Sequence, residues 1–568
     1  MREFVWKPVS IDTMPRSVVS KISKQFKLSK IASEVLLRRA TTSKLFSKKG
    51  YEPAIVKKFL TGSYKDLYDP FLFKDMLKAV DRVLSAKRNK EKIFIHGDYD
   101  CDGITGTAIL KMALDEIGAD SYPFVPTREM GYGLSVEAVD NANKIGCRVI
   151  ITCDCGSNEP RAHNRARKYG IDIIVLDHHS FIKEPKVFAF INPEGPYYPF
   201  RELCGSGVAF KFIQALDKHV KVLPERFLGL VAMATIADQV PLIDENRILI
   251  KEGFKRLKAP ADNPGMRHLL RVCSLWDKKP SSETVGFIIA PKINAAGRID
   301  DPSKALELLL TQDEKRADEL ARELARINKK RQEINTQIRD QAIEMIEKHY
   351  KNNSFIVLSD DNWHKGVIGI VASTIVEIYH KPCAIISKGY GSVRTVPEFS
   401  LLEPLEKCAD LFEKWGGHPM AAGITIKKKN IEEFRKKINS VASKVLPSDP
   451  KPYMVYDARL KMRDINMGLV EEMEKLEPFG NGNQLPCFVV EDVHMARDRI
   501  TSDGQHLQMS VRKDGNLTSA IGFWMANYKD IFVDPAQKFD MLFFLERNRR
   551  GDYEQIVAKD IKEVKLNW

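Results

Sequence analysis

Apolar runs and amphipathic segments alternate through residues 91–191. Four runs rich in β-branched and aromatic residues predict buried strands, at Ile93–Ile95, Tyr122–Pro126, Val149–Thr152 and Ile171–Leu176. Segments with helical spacing separate them, at Thr107–Ile117, Val136–Ile145 and Asn158–Tyr169. Because strands that alternate with helices form parallel sheets, this region predicts a doubly wound α/β domain.

The segments that follow are mostly helical in pattern. Apolar helices are predicted at Gly205–Leu216 and Phe227–Ile236, and helical segments continue to about residue 310 with an interruption at Pro291–Arg298. The stretch 312–350 has neither glycine nor proline and predicts one helix, roughly 58 Å long, that connects two domains. Leu320, Leu324, Ile327, Ile334 and Ile338 form an apolar stripe along this helix, which would also fit a dimeric coiled coil. Ala317 and Arg331 lie on the same stripe and disfavour that alternative.

A second α/β pattern begins at Ser354. Strands are predicted at Phe355–Leu358, Cys383–Ser387 and Met420–Ile426, and helices at Val367–Tyr379 and Glu403–Trp415, with a Gly416-Gly417-His418 turn before the last strand. The stretch 447–452, PSDPKP, predicts a linker. Several short alternating strands beyond it predict a small β-barrel.

A chain of 568 residues is too long for one hydrophobic core. The patterns predict a basic N-terminal arm at 1–50, a parallel-sheet domain with N-terminal helices at 51–311, a connecting helix at 312–350, a second α/β domain at 351–447 and a barrel domain at 448–568. The net charge is +13, and residues 1–50, with 12 Lys and Arg against 3 Asp and Glu, contribute +9 of it; a basic surface of this kind attracts phosphate polymers.

The cysteines and the hydropathy restrict the protein's class. Nine cysteines without a CxxC pair predict reduced thiols, and Cys153 and Cys155 are expected in the core. The sequence has neither an apolar run long enough for a membrane helix nor a secretory signal, so a cytoplasmic protein without a membrane partner is predicted.

Candidate metal ligands follow several predicted strands and helices. Asp98, Asp100 and Asp102 come directly after the first strand, where three close anions are costly to bury unless cations share them. Further acids and histidines end other elements, at Asp154, His178, His179 and Asp238. Carboxylates and imidazoles suit Mn²⁺ or Mg²⁺, and also Fe²⁺ or Zn²⁺. Seven groups exceed the needs of one ion, so two ions about 3.5–4 Å apart are predicted, as in phosphoryl transfer.

These motifs resemble the DHH phosphoesterase superfamily: HGDYDCDG at 96–103, ITCDCG at 151–156, DHH at 177–179 and IADQVPL at 236–242. Within it, GSGVAFKFI at 205–213, PKINAAGRIDDPSKALELLL at 291–310, WHKGVIGIVAS at 363–373, GSVR at 391–394 and GGHPMAAG at 416–423 are similar to the RecJ exonucleases. The resemblance implies 5′→3′ degradation of single-stranded DNA to mononucleotides with Mn²⁺ or Mg²⁺, in DNA repair and recombination. It also identifies the second α/β domain with the DHH-associated domain and the barrel with an OB fold.

The resemblance also implies roles for individual residues. Its metal positions are Asp100, Asp102, Asp154, His178 and Asp238, with His179, Asp98 and His96 beside them. Cys101 and Cys155 depart from the usual alanine and asparagine without affecting the ligands. Candidates to grip the substrate phosphates are Arg128, Arg298 on a loop, Gly391, Ser392, Arg394 and His418. Candidates in the barrel are Arg499, Arg512, Lys513, Phe523 and Trp524, none of which the sequence singles out.

The resemblance implies a ring-shaped monomer whose partners are a single-strand binding protein and a RecQ-type helicase. Two alternatives stay open. One is a phosphodiesterase for short oligonucleotides or cyclic dinucleotides, or a pyrophosphatase, although such enzymes need neither the barrel nor the long helix. The other is a replication scaffold that binds single strands without cleavage, although a scaffold is expected to lose ligands that this chain keeps.

Overall fold

The computed structural model describes residues 4–9, 16–42, 53–257, 263–447, 452–532, 534, 536–548 and 551–564. The described residues within 1–68, 239–252 and 453–568 form one compact unit, and those within 69–238 and 253–452 form another. No helix in the described ranges is long and apolar enough to span a membrane. All nine cysteines are free, and Cys153 and Cys155 are buried, which confirms their prediction as core thiols.

The described part of the basic N-terminal segment packs into the core of the barrel domain instead of forming a separate arm. Val19, Ile22 and Val35 are buried in the same cluster as Phe488 and Met541. The apolar faces of two helices explain this packing, because their lysines point outward. The elements of this segment are β1 (Val5–Pro8), α1 (Arg16–Phe26), α2 (Lys30–Thr42) and α3 (Pro53–Thr61).

The predicted doubly wound sheet is confirmed. Its five strands are all parallel, in the order β3-β2-β4-β5-β6. The first helix after β2 begins at Cys101, earlier than predicted, because the Asp100 side chain caps it. The elements are α4 (Met76–Arg88), β2 (Lys92–His96), α5 (Cys101–Glu116), β3 (Ser121–Phe124), α6 (Val136–Ile145), β4 (Cys147–Cys153), α7 (Pro160–Tyr169), β5 (Asp172–Leu176) and β6 (Ala189–Ile191).

Helices continue to the middle of the chain. The interruption predicted at Pro291–Arg298 is wrong, since these residues belong to a helix that has Pro291 in its first turn, where proline is tolerated. The elements are α8 (Gly205–Asp217), α9 (Leu228–Ala237), α10 (Asp244–Leu257), α11 (Pro264–Val272), α12 (Ser282–Thr284), a π turn (Val285–Ile289), α13 (Ala290–Ile299), α14 (Ser303–Leu310), α15 (Glu314–Met345) and a π turn (Ile346–Tyr350).

The long helix α15, continued by the π turn to Tyr350, matches the helix predicted at 312–350. Its stripe is buried at Leu320, Leu324, Ile327 and Ile338. Ile338 lies in one cluster with Trp363 and Ile368 of the domain that follows. The stripe therefore packs against the chain's own helices, which removes the reason to invoke a coiled coil with a second copy.

The second α/β domain contains a mixed five-stranded sheet in the order β10-β11-β9-β8-β7. The helix predicted at Glu403–Trp415 is confirmed only as far as Glu406. The turn predicted at Gly416–His418 is wrong, because Phe412–His418 is a strand that pairs with Ala421–Ile426. The elements are β7 (Ile356–Ser359), α16 (Ile368–Tyr379), β8 (Cys383–Ser387), β9 (Tyr390–Arg394), α17 (Leu402–Glu406), β10 (Phe412–His418), β11 (Ala421–Ile426) and α18 (Ile431–Ala442).

The predicted barrel is confirmed as a closed five-stranded barrel, because β14 pairs with β15 and also with β17. Residues 448–451 of the predicted linker lie outside the described residues. The parallel pairing of β1 with Tyr453–Tyr456 joins the N-terminal segment to this domain. The elements are β12 (Tyr453–Tyr456), β13 (Ala458–Arg459), α19 (Met467–Glu474), β14 (Cys487–Ile500), β15 (Leu507–Lys513), β16 (Asn516–Gly522), β17 (Lys538–Arg547) and β18 (Glu554–Glu563).

Candidate active site

The carboxyl ends of three neighbouring strands bring the predicted ligands together. Asp98 follows β2, Asp154 follows β4, and His178 follows β5, and these strands are adjacent in the sheet. Asp154 has a left-handed backbone with φ of 62°, and its N–H donates to the Leu176 carbonyl at 3.0 Å. The edge of the parallel sheet where ligands bind in such folds is therefore lined with acids and imidazoles.

All seven predicted side chains belong to this cluster. Their ligand atoms form three groups in which every atom lies within 4.8 Å of the others: Asp154 with His178 and His179, Asp102 with His178 and Asp238, and Asp98 with Asp100 and Asp154. The His178 Nε2 atom lies 3.1 Å from Asp154 Oδ1 and 3.7 Å from Asp238 Oδ2. Asp154 and His178 are each shared by two groups, as expected for residues at the centre of a two-ion site.

Backbone amides orient the acidic turn. Asp100 caps helix α5, and its Oδ1 accepts from the N–H groups of Asp102 and Gly103. The two Asp102 oxygens accept from the N–H groups of Gly205 and Ser206, at 2.6 and 2.8 Å, at the N-terminus of α8. Both carboxylates are thus fixed by helix N-termini, where partial positive charge favours anions.

Asp177 orients the two histidines and was not predicted as a site residue. Its Oδ1 accepts from the backbone N–H groups of both histidines and lies 2.8 Å from His179 Nδ1. Burial opposes the ionisation of both partners, but their mutual contact outweighs it: the pKa of Asp177 falls to about 2 and that of His179 rises to about 9. Burial lowers the pKa of His178, which favours the neutral imidazole and its lone pair.

Burial makes the remaining carboxylates costly to ionise unless cations share them. Burial first, and then the neighbouring aspartates, raise the pKa of Asp98 and of Asp154 well above the ordinary range and that of Asp238 to about 9. Among the described residues, Asp98 Oδ1 and Asp238 Oδ2 are buried without a hydrogen-bond partner. Divalent ions fit this set, since its oxygen and imidazole donors are those that Mn²⁺ and Mg²⁺ accept.

Without divalent ions, the protein should lose stability as pH rises through the site's titration. A carboxyl whose pKa is higher in the folded than in the unfolded state stabilises the fold at low pH, and this contribution is lost between the ordinary aspartate range and the folded pKa. For Asp238 this window runs from about 4 to about 9. In chelator, the free energy of unfolding should fall by about 1.4 kcal/mol per pH unit for each proton released.

Chemical denaturation at several pH values, in chelator and in Mn²⁺, measures this effect. Mn²⁺ should flatten the slope, because the ion replaces the protons. Asp238→Asn in chelator is the matched control and should flatten it too. Equal slopes with and without Mn²⁺ would contradict the assignment of a metal to these acids.

Two of the predicted arginines, Arg128 and Arg298, lie near the cluster, and a third, Arg394, lies on the second sheet. The Arg128 guanidinium stacks over the Tyr99 ring at 4.4 Å, and its Nε donates to the Gly297 carbonyl. Arg298 lies in the last turn of α13, so its prediction as a loop residue is wrong, and its Nη1 donates to the Gly366 carbonyl. Burial, followed by the charge of Arg128, lowers the pKa of Arg298 to about 10. In the described part of the chain, neither these two nor Arg394 forms an ion pair with a carboxylate, which favours an anionic ligand.

The other predicted phosphate contacts share one face of the second sheet. Arg394 pairs with Ala421, which pairs with His418, so the three side chains point the same way. Ser392 lies two residues from Arg394 on the same face. A Cβ atom on Gly369 of α16 would lie 2.9 Å from Ser392 Oγ and 3.3 Å from Arg394 Nη2, so this helix covers part of the face. The structure therefore groups Ser392, Arg394 and His418 on one face, with Ser392 and Arg394 beside the start of α16.

Two further residues near the site were missed by sequence reasoning. The Tyr132 hydroxyl lies 3.1 Å from the His179 ring nitrogens and donates to the Asp154 carbonyl at 3.3 Å. Arg331 of α15 is close enough for its charge to lower the pKa of Arg298, and its Nη2 donates to Asn328. The sequence signal for Arg331 was a cation on an apolar stripe. His96 belongs to none of the three groups, since it is buried against the Gly133 carbonyl.

Protein-family models match three parts of the chain. The DHH family, N-terminal domain, matches residues 92–235, the DHHA1 domain matches residues 352–444, and the RecJ OB domain matches residues 456–559. These ranges fall within the sheet domain, the second α/β domain and the barrel. Along the chain the order is therefore the DHH domain, the DHHA1 domain and the RecJ OB domain.

Several curated relatives carry the name single-stranded-DNA-specific exonuclease RecJ. The Bacillus subtilis protein is 37% identical over 492 residues, which cover 84% of this chain and 62% of that protein. The Haemophilus influenzae protein is 31% identical over 513 residues, which cover 84% of this chain and 89% of that protein. The chain thus spans less than two thirds of the Bacillus relative's length and most of the Haemophilus relative's length.

Crystal structures of RecJ from Thermus thermophilus share the fold over almost the whole chain. The complex with Mn²⁺ has a TM-score of 0.82 at 28% identity and covers 99% of this chain and 80% of that chain. The complex with Mg²⁺ has a TM-score of 0.77 at 27% identity and covers 99% and 79%. The likeness extends from the parallel sheet to the barrel.

Proposed function

The chain belongs to the RecJ family of single-stranded-DNA-specific exonucleases, and on that premise we propose that it hydrolyses single-stranded DNA from the 5′ end to mononucleotides with Mn²⁺ or Mg²⁺, in DNA repair and recombination. The observation that carries the proposal is the pairing, within one unit, of a seven-residue acid and histidine cluster with arginines that lack acidic partners. The first suits divalent ions and the second suits phosphate.

The residues that would hold two ions are Asp100, Asp102, Asp154, His178 and Asp238, with Asp98 and His179 completing the set. Asp154 and His178 would be central to holding the ions, because each belongs to two ligand groups. When bound, the ions supply Lewis-acid chemistry for in-line displacement at phosphorus. Asp177 holds His179 in place, and the amides at α8 hold Asp102, so the ligands are positioned before substrate arrives.

The arginines and the second sheet would bind the substrate's phosphates. Arg128 and Arg298 lie next to the acidic turn and are suited to neutralise charge near the scissile phosphodiester. Ser392, Arg394 and His418 share one face and are suited to the 5′-terminal phosphate. A terminal phosphate held there makes cleavage start at the 5′ end, whereas two ions alone are indifferent to direction.

The barrel would bind the incoming strand by stacking. Phe523 and Trp524 are 48% and 72% exposed, so they are not core residues, and the His506 ring meets both edge-on at 5.2 and 5.0 Å. Exposed aromatic rings on an OB fold stack with successive bases without sequence preference. Among the charged candidates, Lys513 already donates to the Glu491 carbonyl and Arg499 to Gln508, which makes the two aromatics the stronger pair.

A gel assay with Mn²⁺ tests the reaction. Single-stranded oligonucleotides carry the label at the 5′ or the 3′ end, and Asp154→Asn is the control. The proposal expects immediate release of a labelled mononucleotide from the 5′ end, while the 3′ label passes through a ladder. Cleavage restricted to very short oligomers would favour a small phosphodiesterase instead. Binding without metal-dependent cleavage would indicate a scaffold.

The cellular setting is also part of the proposal. A monomer that acts in the cytoplasm beside a single-strand binding protein and a RecQ-type helicase is consistent with the family's role. The family resemblance supports these points, and sedimentation of the purified protein with each partner tests them. A sedimentation coefficient that the partners leave unchanged would argue against direct contact.

A further inference from the structure

Two glycines allow close backbone contacts along a path from the acidic turn to the face of the second sheet that carries Ser392, Arg394 and His418. A Cβ atom on Gly297 would lie 2.1 Å from the Tyr99 carbonyl oxygen, and one on Gly366 would lie 2.0 Å from the Arg298 carbonyl oxygen. Gly297 and Arg298 are consecutive in the last turn of α13. This turn is therefore in contact with Tyr99 on one side and Gly366 on the other, and we call the series Tyr99, Gly297, Arg298 and Gly366 the glycine stack.

Space rather than backbone conformation requires glycine at both positions. Neither residue has a φ in the left-handed region that favours glycine. The atoms that a side chain would meet are carbonyl oxygens, which cannot rotate away as a side chain can. Two hydrogen bonds add to the contacts, from Arg128 Nε to the Gly297 carbonyl at 3.2 Å and from Arg298 Nη1 to the Gly366 carbonyl at 3.4 Å.

Each end of the glycine stack leads directly to one part of the site. Tyr99 lies between Asp98 and Asp100 in the acidic turn, and the Asn294 side chain of α13 accepts from the N–H of Cys101 at 2.7 Å. Gly366 precedes α16 by two residues, and Gly369 of that helix lies against Ser392 and Arg394. No flexible side chain separates the acidic turn from the start of α16 along this path.

We propose that Gly297 and Gly366 are positioning residues that fix the spacing between the metal-binding turn and the 5′-phosphate site, and thereby set the product at one nucleotide. The inference rests on the proposed function. Phosphates on either side of one nucleoside are separated by a fixed covalent span. A rigid backbone contact between the two sites selects that span, because a strand shifted by one nucleotide cannot fill both sites.

Gly366→Ala tests the spacing with Gly286→Ala as the matched control. Gly366→Ala must widen the 2.0 Å contact by about 1.4 Å to reach an ordinary distance, whereas a Cβ on Gly286, in the π turn before α13, lies 3.5 Å from Ile236 and has room. We expect Gly366→Ala to lower the rate ratio of 5′-phosphate to 5′-hydroxyl substrates about tenfold and to release dinucleotides. Mn²⁺ affinity by calorimetry should stay unchanged, because Gly366 touches no ligand, and Gly286→Ala should resemble wild type.

A second measurement uses the wild-type protein and so does not depend on a variant that folds. A substrate whose 5′-terminal nucleoside is replaced by a rigid spacer longer than a nucleoside, such as a biphenyl diol, holds the first phosphodiester farther from the terminal phosphate. If the spacing is fixed, cleavage at that bond should be slower by about tenfold or more, because the bond no longer lies at the metal-binding turn when the terminal phosphate is bound. Normal cleavage of this substrate, or mononucleotides and an unchanged ratio from Gly366→Ala, would overturn the inference. Wild-type protein that fails to release 5′-mononucleotides from ordinary DNA would instead overturn the proposed function.

Discussion

Replacing Asp154 with asparagine should lower the metal-dependent cleavage rate about a thousandfold or more and leave single-strand binding intact. Asp154 belongs to two of the three ligand groups, so its loss removes a donor from both proposed ion positions. Asparagine is the appropriate replacement, because residue 154 has a φ of 62° and asparagine tolerates the left-handed region better than alanine does.

Asp154→Asn should raise stability in the absence of metal although it lowers activity. This difference distinguishes the loss of a ligand from damage to the fold. Without metal, removing one of several buried carboxylates should raise the free energy of unfolding by about 1–2 kcal/mol, since like charges no longer share the site. Wild type should gain about 2.7 kcal/mol in Mn²⁺ at a hundred times its Kd, and the variant should gain much less.

The measurements are cleavage rates, binding of a labelled strand, and denaturation with and without Mn²⁺. Asp115→Asn is the matched control, because Asp115 lies on the same helix α5 and pairs with Lys111 away from the cluster. A variant at Asp154 that cleaves at near wild-type rates would remove Asp154 from the site.

Arg394→Ala should reduce the preference for a 5′-phosphate over a 5′-hydroxyl end by about 10- to 100-fold. The Arg394 side chain is largely buried, burial lowers its pKa, and its Nη1 donates to the Val393 carbonyl. A cation held in this way without a carboxylate among the described residues is poised for an anionic ligand. Cleavage of 5′-hydroxyl ends should change little, because the ions are held elsewhere.

Competition between two differently labelled substrates measures this preference directly. Arg394→Lys should lie between alanine and wild type, since lysine keeps the charge and loses the planar fork. Arg322→Ala, which removes a surface arginine paired with Asp318, is the control for a general loss of positive charge. If the ratio for Arg394→Ala equals that of wild type, the terminal phosphate binds at another site.

The acid and histidine cluster could be predicted from the sequence, because residues that directly follow neighbouring parallel strands lie close together at one edge of the sheet. Asp98, Asp154 and His178 are far apart in the chain, but each follows a buried apolar run. Once those runs are assigned to one parallel sheet, their carboxyl ends must meet at one edge. The convergence is thus predictable from patterns that are purely local.

Errors arose where tertiary contacts decide the conformation. Gly416, Gly417 and His418 look like a turn, yet pairing with Ala421–Ile426 makes them a strand. Pro291 looks like a helix breaker, yet it occupies the first turn of a helix. Arg331 looked like a flaw in an apolar stripe, and only the fold places its charge near Arg298. In each case the local signal was genuine, but its meaning depended on residues distant in the chain.

The composition of the unit that contains the barrel has a consequence for biosynthesis. Val19, Ile22 and Val35 share one core with Phe488, Met541 and Ile556, so residues near the beginning of the chain are buried by residues made near its end. At roughly 5–20 residues per second, the ribosome needs roughly 20–90 s between the two sets. The unit containing the parallel sheet is synthesised meanwhile and can fold first. Helices α1 and α2 must keep their apolar faces out of misfolded contacts during that interval, which makes the nascent chain a natural client for holding chaperones.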